Sequence, residues 1–362
     1  MRPASEWGPA SRTLRQRDPS RLTERFRDPL AVAEARWENE GGAEEGEKLR
    51  DLGSRLALDP EPPLRLDLTA WALRRRPRNT VDRWDGTSYR RALALAEGPV
   101  AFSVTQAGRS DAPALTVVLY ERGGTHVEEG VRDSIERLLG LRADLSGFYR
   151  MARSDDVLGP LAARFRGVKP PRFPTVYESL LNAVAVQQLS LESGLSLLNR
   201  LAATHGKAVR AEGALLHAFP RPHDLANLEP AALRALGFSG RKAATIIELS
   251  RAVVDGRVDL ELLETLSDSE AVSRLMTVHG IGRWSAEYVL LRGLGRLHVF
   301  PGDDVGARNN LARWLGLAPP LDYDAVARAV SRWQPYAGMV YFHLLLDRLE
   351  AAGELQGGAA PK

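Results

Sequence analysis

Residues 275–288, LMTVHGIGRWSAEY, decide the fold of this chain. The apolar residues that lead into the stretch recur at helical spacing and predict a helix with one apolar face: Val272, Leu275 and Met276. Gly280 and Gly282 then allow a turn with positive φ and leave the backbone open to close approach. After the turn, aromatic and apolar side chains share one face of a second helix: Trp284, Tyr288 and Leu291. The stretch therefore predicts two helices joined by a tight hairpin.

A hairpin of this kind turns backbone N–H groups outward at the start of a helix. Such groups bind anions, and a DNA phosphate is one of the anions that fit. A second loop follows at residues 300–304, FPGDD, where a Pro-Gly turn delivers Asp304 to a predicted helix start. The glycine hairpin alone is weak evidence for any particular family of proteins. The hairpin together with an acid-bearing loop at this distance is strong evidence for one.

This combination resembles the helix-hairpin-helix DNA glycosylase superfamily, and in particular the bacterial 3-methyladenine DNA glycosylase II type. The resemblance extends over residues 63–350 and includes the RWDG and YRR groups at residues 83–86 and 89–91. It implies an α+β N-terminal domain followed by a mainly α-helical helix-hairpin-helix base-excision domain, with the active site in the cleft between helical lobes.

Composition narrows the class of protein. The chain has 362 residues, 44% hydrophobic and 26% charged, which is typical of a globular protein with room for two domains. It has no cysteine, which excludes disulfides, thiolate zinc sites and a cysteine-held iron–sulfur cluster. The net charge of +3 permits nucleic-acid binding without requiring it. No membrane-length apolar run and no secretory signal occur, so a cytoplasmic monomer is expected.

The chain divides into four predicted regions. Residues 1–60 are expected to be a weakly ordered extension, with a short helix at 49–58. Residues 61–160 are expected to form a small α+β sheet domain, with strands at 64–68, 100–106 and 114–120. Residues 161–352 are expected to form a helical domain that contains the hairpin, and everything after the stiff connector at 169–174 reads as helix, without convincing alternation. Residues 353–362 form a tail.

Asp304 has two interpretations. Local sequence alone favours a helix N-cap that accepts backbone N–H bonds. The resemblance implies instead the catalytic acid, with Asp303 as the capping or solvated neighbour. A carboxylate beside the sugar would stabilise the oxocarbenium character that develops when an N-glycosidic bond breaks, and it could orient the attacking water.

The resemblance also bears on strand cleavage. Superfamily members that cut the strand carry a nucleophilic lysine at the position of Trp284. Arg283 cannot replace it, because guanidinium stays protonated. The resemblance therefore implies a monofunctional enzyme that leaves an abasic site in an unbroken strand.

Several residues are expected to surround a flipped base. Trp284 and Tyr288 lie on one helix face and are either plain core or a stacking wall for a cationic purine. The resemblance places Tyr336 in the same wall, although the residues after it, Ala337 and Gly338, depart from the family pattern. It also implies Gln187 at the pocket edge and Gln188 as the wedge that fills the gap in the duplex. Both glutamines could equally be polar surface.

The predicted contacts to the DNA backbone come from two turns. The first comprises His279, Gly280, Ile281, Gly282 and Arg283. The second contributes Arg241 and Lys242, which could also be merely solvated. The resemblance further implies that the backbone carbonyls of Met276, Val278 and Ile281 hold a structural sodium or potassium ion. No cofactor is required.

The expected function is hydrolysis of alkylated purines, of the 3-methyladenine and 7-methylguanine type, from double-stranded DNA. Two alternatives stay open. One is a related glycosylase for deaminated or oxidised bases, and the other is a non-catalytic DNA-binding protein that keeps the hairpin for phosphates.

Overall fold

The computed structural model describes residues 53–121 and 124–355. The predicted extension at 1–52 and most of the predicted tail, from residue 356 onward, lie outside the described residues. Within the described part, no helix has both the length and the apolar character that crossing a bilayer requires.

The N-terminal part is a five-stranded antiparallel sheet with the order β1-β5-β4-β3-β2. Its strands are β1 (Arg55–Leu58), β2 (Arg83–Trp84), β3 (Ser88–Ala94), β4 (Pro99–Ala107) and β5 (Ala114–Leu119). Four helices accompany it: α1 (Leu66–Arg74), α2 (Thr125–Leu139), α3 (Ser146–Arg153) and α4 (Leu158–Arg164). The predicted strands at 100–106 and 114–120 are confirmed as β4 and β5.

Two local predictions in this region are wrong. Residues 55–58 form β1, paired with β5, rather than part of a helix at 49–58, so the sheet begins before residue 60. Residues 64–68 are the approach to α1 and its first turn rather than a strand. The alternating leucines there are all buried, and the Leu66 N–H donates to Oε1 of Gln106 instead of to a neighbouring strand.

The rest of the chain is mainly helical. Its helices are α5 (Val176–Val186), α6 (Leu191–His205), α7 (Pro222–Ala226), α8 (Pro230–Ala235), α9 (Gly240–Val254), α10 (Asp268–Met276), α11 (Arg283–Arg292), α12 (Val305–Leu315), α13 (Tyr323–Val330) and α14 (Ala337–Ala351). The expectation of helix throughout is wrong at one place, where β6 (Ala208–Ala211) and β7 (Ala214–His217) form a hairpin. Gly213, with a φ of 77°, makes the tight turn between them.

Two hydrophobic cores lie on either side of a cleft. One core joins the inner face of the sheet to α1–α4 and to α12–α14, so it continues across the predicted boundary at residue 160. The other core joins α5, α6 and α9 to the two hairpin helices α10 and α11. The cleft between them receives residues from both cores.

A buried charge network connects the sheet to the second core. Arg91 on β3 donates to Oδ1 of Asp82 at 2.5 Å and to both carboxylate oxygens of Glu178 on α5 at 2.5 and 2.6 Å. Tyr89 donates to the same Asp82 oxygen at 2.7 Å. Because all four side chains are buried, the network fixes the sheet domain against α5.

Candidate active site

Asp304 lies at the start of α12, at the end of the Pro-Gly loop. Its Oδ1 accepts the backbone N–H of Ala307 at 2.9 Å, so Asp304 itself is the N-cap. Of the two roles expected for Asp303, the cap is wrong, because Asp304 provides it; Asp303 is instead a partly exposed neighbour, ion-paired with Arg283 at 2.7 Å. The second oxygen of Asp304, Oδ2, lies 3.5 Å from the hydroxyl of Tyr341 on α14.

The surroundings of Asp304 shift its affinity for a proton. Burial among protein atoms raises the pKa of Asp304 above its ordinary value. The N–H groups of Ala307, the Trp284 indole and Gly306, with the Tyr341 hydroxyl, act in the opposite direction and favour the carboxylate. The acid is thus held where its negative charge is poorly solvated and partly compensated by dipoles.

Asp304 opens onto a cavity of about 840 Å³ in the cleft. The cavity draws residues from six places: the end of α1, the α5–α6 loop, the hairpin, α11, the start of α12 and α14. Those used below are Arg75, Gln187, Gln188, Leu189, Gly280, Trp284, Tyr288, Asp304 and Tyr341. Asp304 therefore caps a helix, as its local sequence predicts, and also faces a cavity beside the Trp284 indole.

An aromatic wall forms one side of the cavity. The rings of Trp284 and Tyr288 are 5.7 Å apart between centroids and inclined by 35°. The Tyr288 hydroxyl accepts a hydrogen bond from Arg75 at 2.9 Å, and Arg75 also donates to Oδ1 of Asn182 at 2.6 Å. The buried Arg75 thus fixes the orientation of the Tyr288 ring.

Tyr336 does not belong to this wall, so its prediction as a pocket residue is corrected. Its ring packs edge-on against Phe148 of α3 at 6.0 Å, and a Cβ built at Gly147 would lie 2.1 Å from its hydroxyl oxygen. Tyr336 is the residue before α14, whereas Tyr341, within that helix, faces Asp304.

The loop between α5 and α6 forms the mouth of the cavity. Gln187 donates from Nε2 to the carbonyl oxygen of Gly280 at 3.0 Å and to Oγ of Ser285 at 2.9 Å. Gln188 is exposed and has a φ of 54°, a left-handed conformation that non-glycine residues rarely adopt. Leu189 beside it is 46% exposed, an apolar side chain at the same mouth.

The hairpin joins α10 to α11 in the predicted place. Gly280 has a φ of 86°, and a Cβ there would lie 2.4 Å from Oγ1 of Thr245. Both the backbone conformation and the lack of space for a side chain therefore require glycine. His279 and Gly282 are exposed, and the Ile281 side chain is buried beneath the turn. Within residues 124–355, no hydrogen bond uses the backbone N–H groups of Gly280, Gly282 or Arg283, which leaves them free for an anion.

The basic side chains near the two turns are placed differently from the prediction. Arg283 pairs with Asp303 and lies 3.8 Å over the Tyr323 ring. Arg241 is exposed at the start of α9. Lys242 is not a surface residue, because it is 9% exposed and its Nζ donates to backbone carbonyls, so its assignment as a phosphate contact is corrected.

The three carbonyls predicted to hold a cation differ in what they already bind. The Val278 oxygen accepts the N–H of Ile281 at 3.0 Å. No backbone N–H of the described residues donates to the oxygens of Met276 or Ile281. Neutral carbonyl oxygens suit a monovalent cation, and no cluster of acidic or histidine ligands occurs in the described part of the chain.

The Asp304 loop is supported from below by the first turns of α11. Glu287 accepts the Gly302 N–H at 3.1 Å and the Tyr323 hydroxyl at 2.6 Å. Burial raises the pKa of Glu287, and burial with the nearby Glu287 carboxylate raises the pKa of Tyr323 to about 12. The helix that begins at the hairpin therefore also carries the loop that presents Asp304.

Four residues around the cavity escaped the sequence analysis: Arg75, Asn182, Leu189 and Tyr341. Arg75 and Asn182 come from different cores, and only the folded chain brings them together. Tyr341 lies within α14 and Tyr336 just before it, and no local sequence pattern tells which of the two faces the cavity. Of the four, Leu189 could have been noticed from the sequence, because it is an apolar residue directly after two glutamines at a predicted helix end.

Residues 181–335 match the family model described as HhH-GPD superfamily base excision DNA repair protein. The matched segment, which contains the hairpin and the Asp304 loop, is therefore similar to the helix-hairpin-helix base-excision superfamily.

Three similar proteins have names that include 3-methyladenine glycosylase. The 3-methyladenine DNA-glycosylase structure from Archaeoglobus fulgidus superimposes with a TM-score of 0.70 and 27% identity, over 81% of this chain and 98% of that chain. The DNA-3-methyladenine glycosylase of Bacillus subtilis is 27% identical over 63% of this chain and 77% of its own length. DNA-3-methyladenine glycosylase 2 of Escherichia coli is 29% identical over 52% of this chain and 63% of its own length.

Proposed function

We propose that the protein is a monofunctional DNA glycosylase that hydrolyses the N-glycosidic bond of alkylated purines in double-stranded DNA. The carrying observation is that the Asp304 carboxylate and the Trp284–Tyr288 wall face one cavity beside the hairpin. The relatives named as 3-methyladenine glycosylases support the same class of substrate.

The cavity would receive a base rotated out of the duplex. Flipping costs a few kcal/mol, which is lowest for a damaged or mispaired base. Purines alkylated at N3 or N7 are cationic, and a cation over an aromatic face gains about 1–2 kcal/mol when desolvated. The Trp284 and Tyr288 rings supply those faces, and Gln188 or Leu189 would fill the space that the base leaves.

Asp304 would then act on the sugar. As the bond to the base breaks, positive charge develops on the deoxyribose ring, and the carboxylate stabilises it in a poorly solvated setting. Water attacks the sugar carbon, the bond electrons leave with the base, and one proton of the water goes to solvent. A cationic alkylpurine leaves as a neutral base, so no general acid is required.

The lysines support hydrolysis rather than strand cleavage. The described residues contain Lys169, Lys207 and Lys242, and none of them lines the cavity. Lys169 donates to the Ala143 carbonyl at 2.7 Å, and Lys207 is exposed in the β-hairpin region. A Schiff-base nucleophile is therefore absent from the described part of the site.

The hairpin would hold the DNA backbone. Its free N–H groups at the start of α11 suit a phosphate, and a sodium or potassium ion on the Met276 and Ile281 carbonyls would add positive charge there. Replacing sodium chloride by tetramethylammonium chloride at equal ionic strength tests the ion. Weaker binding of DNA with an abasic-site analogue is expected, and unchanged affinity would remove the ion from the proposal.

One observation favours a second substrate class. The Arg75 guanidinium lines the cavity, donates to the Tyr288 hydroxyl and to Oδ1 of Asn182, and pairs with no carboxylate among the described residues. A fixed positive charge disfavours a cationic base and suits a neutral base with a carbonyl oxygen, as in deaminated or oxidised purines. The carboxylate of Asp304 in the same cavity offsets this effect, so alkylated purines remain the first candidate.

The test is release of free base from defined duplexes. Wild-type protein should release 3-methyladenine and 7-methylguanine and leave a strand that breaks only after alkali. Parallel duplexes with hypoxanthine or 8-oxoguanine measure the second class. Binding to DNA without release of any of these bases would support the non-catalytic alternative instead.

A further inference from the structure

Lys242 has an unusual position for a basic residue at a turn between helices. Its side chain is 9% exposed, and its Nζ donates to the carbonyl oxygens of Ala185 at 2.8 Å and Gln187 at 2.7 Å. The final carbonyls of a helix have no partner within the helix. Lys242 therefore caps the end of α5 with a buried ammonium group, where the helix dipole also favours positive charge.

The capped segment is the wedge loop, residues 187–190 between α5 and α6. Its first residue, Gln187, leaves the helix with a φ of −51° and a ψ of 129°. The next, Gln188, is held at a φ of 54°. A left-handed glutamine is strained and persists only where its surroundings impose that conformation. The two bonds from Lys242 and the two from the Gln187 side chain are the constraints around it.

The same helix face that carries Lys242 also touches the hairpin. Thr245 lies three residues further along α9, and its Oγ1 is the atom that a Cβ at Gly280 would meet first. Gln187 completes the connection, because its Nε2 donates to the Gly280 carbonyl and to Ser285. One face of α9 thus supports both the wedge loop and the phosphate-facing hairpin.

We propose that Lys242 is a positioning residue for base flipping: it fixes the wedge loop at a set distance from the hairpin, so that phosphate binding and insertion into the duplex occur together. This rests on the proposed function, since it assumes that the wedge loop enters DNA. Lys242 acts through Gln187 and Gln188 and makes no contact with the nucleic acid itself.

Salt dependence separates this role from a phosphate contact. Each phosphate contact contributes about 0.9 to the slope of log affinity against log salt. Lys242→Met should leave that slope at the wild-type value, measured on a duplex with an abasic-site analogue. It should lower the amplitude of 2-aminopurine fluorescence, which reports flipping, by about 5-fold or more. A slope reduced by about one contact would overturn the proposal.

Lys207→Met is the matched control, since it makes the same substitution at an exposed lysine that lies outside the cavity. It should keep both the flipping signal and the salt slope of the wild type. Loss of flipping in Lys207→Met equal to that in Lys242→Met would contradict the specific role of the buried ammonium group.

Lys242→Arg covers the case in which the methionine variant does not fold. It keeps the charge but cannot place one small ammonium between two carbonyls. Without any DNA, the backbone amides of residues 187–190 should exchange with deuterium about 10-fold faster than in the wild type. Unchanged exchange would refute the proposal even if the wild type releases alkylated bases. If exchange is faster in Lys242→Arg but the wild-type protein releases no base, only the proposed function is refuted.

Discussion

The Tyr341 hydroxyl lies 3.5 Å from Oδ2 of Asp304, while the other oxygen of Asp304 caps α12 through Ala307. Burial and the negative charge of Asp304 raise the pKa of Tyr341 well above its ordinary value, so Tyr341 stays protonated. The carboxylate is thus divided between two tasks. One oxygen fixes the side chain in place, and the other faces the cavity beside a neutral hydroxyl.

This division predicts that Asp304→Asn lowers the rate of base release without lowering the stability of the fold. The amide oxygen can still accept the Ala307 N–H, because asparagine and aspartate are about equal as N-caps. The negative charge is lost, so single-turnover base release should fall by about 10²–10³-fold, as for loss of a preorganised electrostatic group. The melting temperature should stay the same or rise, since the buried charge is removed.

Asp322→Asn is the control for capping. Asp322 starts α13 and accepts the Ala325 N–H at 2.7 Å in an exposed place away from the cavity. Its replacement should change neither base release nor the melting temperature measurably. Equal base release by Asp304→Asn and wild type would exclude Asp304 from the reaction.

The raised pKa of Asp304 predicts the pH dependence. The carboxylate form is the active one, so the rate should fall as pH decreases through the folded-state pKa. Because burial raises that pKa, the fall should begin at a higher pH than an exposed aspartate would give. Single-turnover rates, corrected for uncatalysed depurination at each pH, measure it. A rate that is flat down to the range of an ordinary aspartate would contradict the assignment.

Linkage gives the same pKa shift a stability consequence. A carboxyl group with a raised folded-state pKa binds its proton more tightly in the folded chain, so its contribution to stability is present at low pH and is lost as pH rises. The difference in unfolding free energy between Asp304→Asn and wild type should therefore grow in favour of the variant as pH rises through the folded-state pKa. Urea titrations at several pH values measure it.

The sequence predicted those features that depend on local spacing. The hairpin at 277–282 and the loop at 300–304 are punctuated by glycine and proline, so their turns follow from residues close along the chain. The positions of Trp284 and Tyr288 follow from helical periodicity. The structure places all of these around one cavity, although their chemical roles remain predictions.

Long-range contacts decided the rest. Lys242 looks like an ordinary basic residue at a turn until α5 is packed against α9. Tyr336 and Tyr341 are both aromatic and near the start of α14, and only the packing of α3 against it assigns one to the core and the other to the cavity. The alternating leucines at 64–68 imitate a strand because all three are buried, whereas Arg65 and Asp67 between them are partly exposed and form an ion pair.

Glu287 should matter to catalysis through the Asp304 loop. Glu287→Leu leaves the buried Gly302 N–H without an acceptor, at a cost of about 1–3 kcal/mol, and also removes the partner of the part-buried Tyr323 hydroxyl. We expect a lower melting temperature and a drop of at least about 10-fold in the single-turnover rate. The dissociation constant for DNA with an abasic-site analogue should change little, because the hairpin N–H groups are untouched.

Glu287→Gln is the conservative comparison, since its amide oxygen can still accept the Gly302 N–H. It should recover most of the rate lost in Glu287→Leu. If both variants lose DNA affinity and rate to the same extent, the effect comes from the hairpin and not from the loop.

The buried charge network predicts a large stability difference between neighbouring arginines on β3. Arg91 bonds to Asp82 and Glu178 out of solvent, so Arg91→Met leaves two buried carboxylates uncompensated and should cost about 3–5 kcal/mol. Arg90, next to it, pairs with Asp85 and Glu212 at 2.8 and 2.9 Å on the solvent side. Arg90→Met should cost no more than about 1 kcal/mol.

Urea denaturation of both arginine variants gives the comparison. Adding Asp82→Asn and Glu178→Gln to Arg91→Met removes the stranded charges, and this triple variant should regain part of the lost stability. Failure to regain any of it would mean that the cost lies in lost packing of the arginine side chain. Equal destabilisation by Arg91→Met and Arg90→Met would show that burial of the network contributes nothing to holding the sheet against α5.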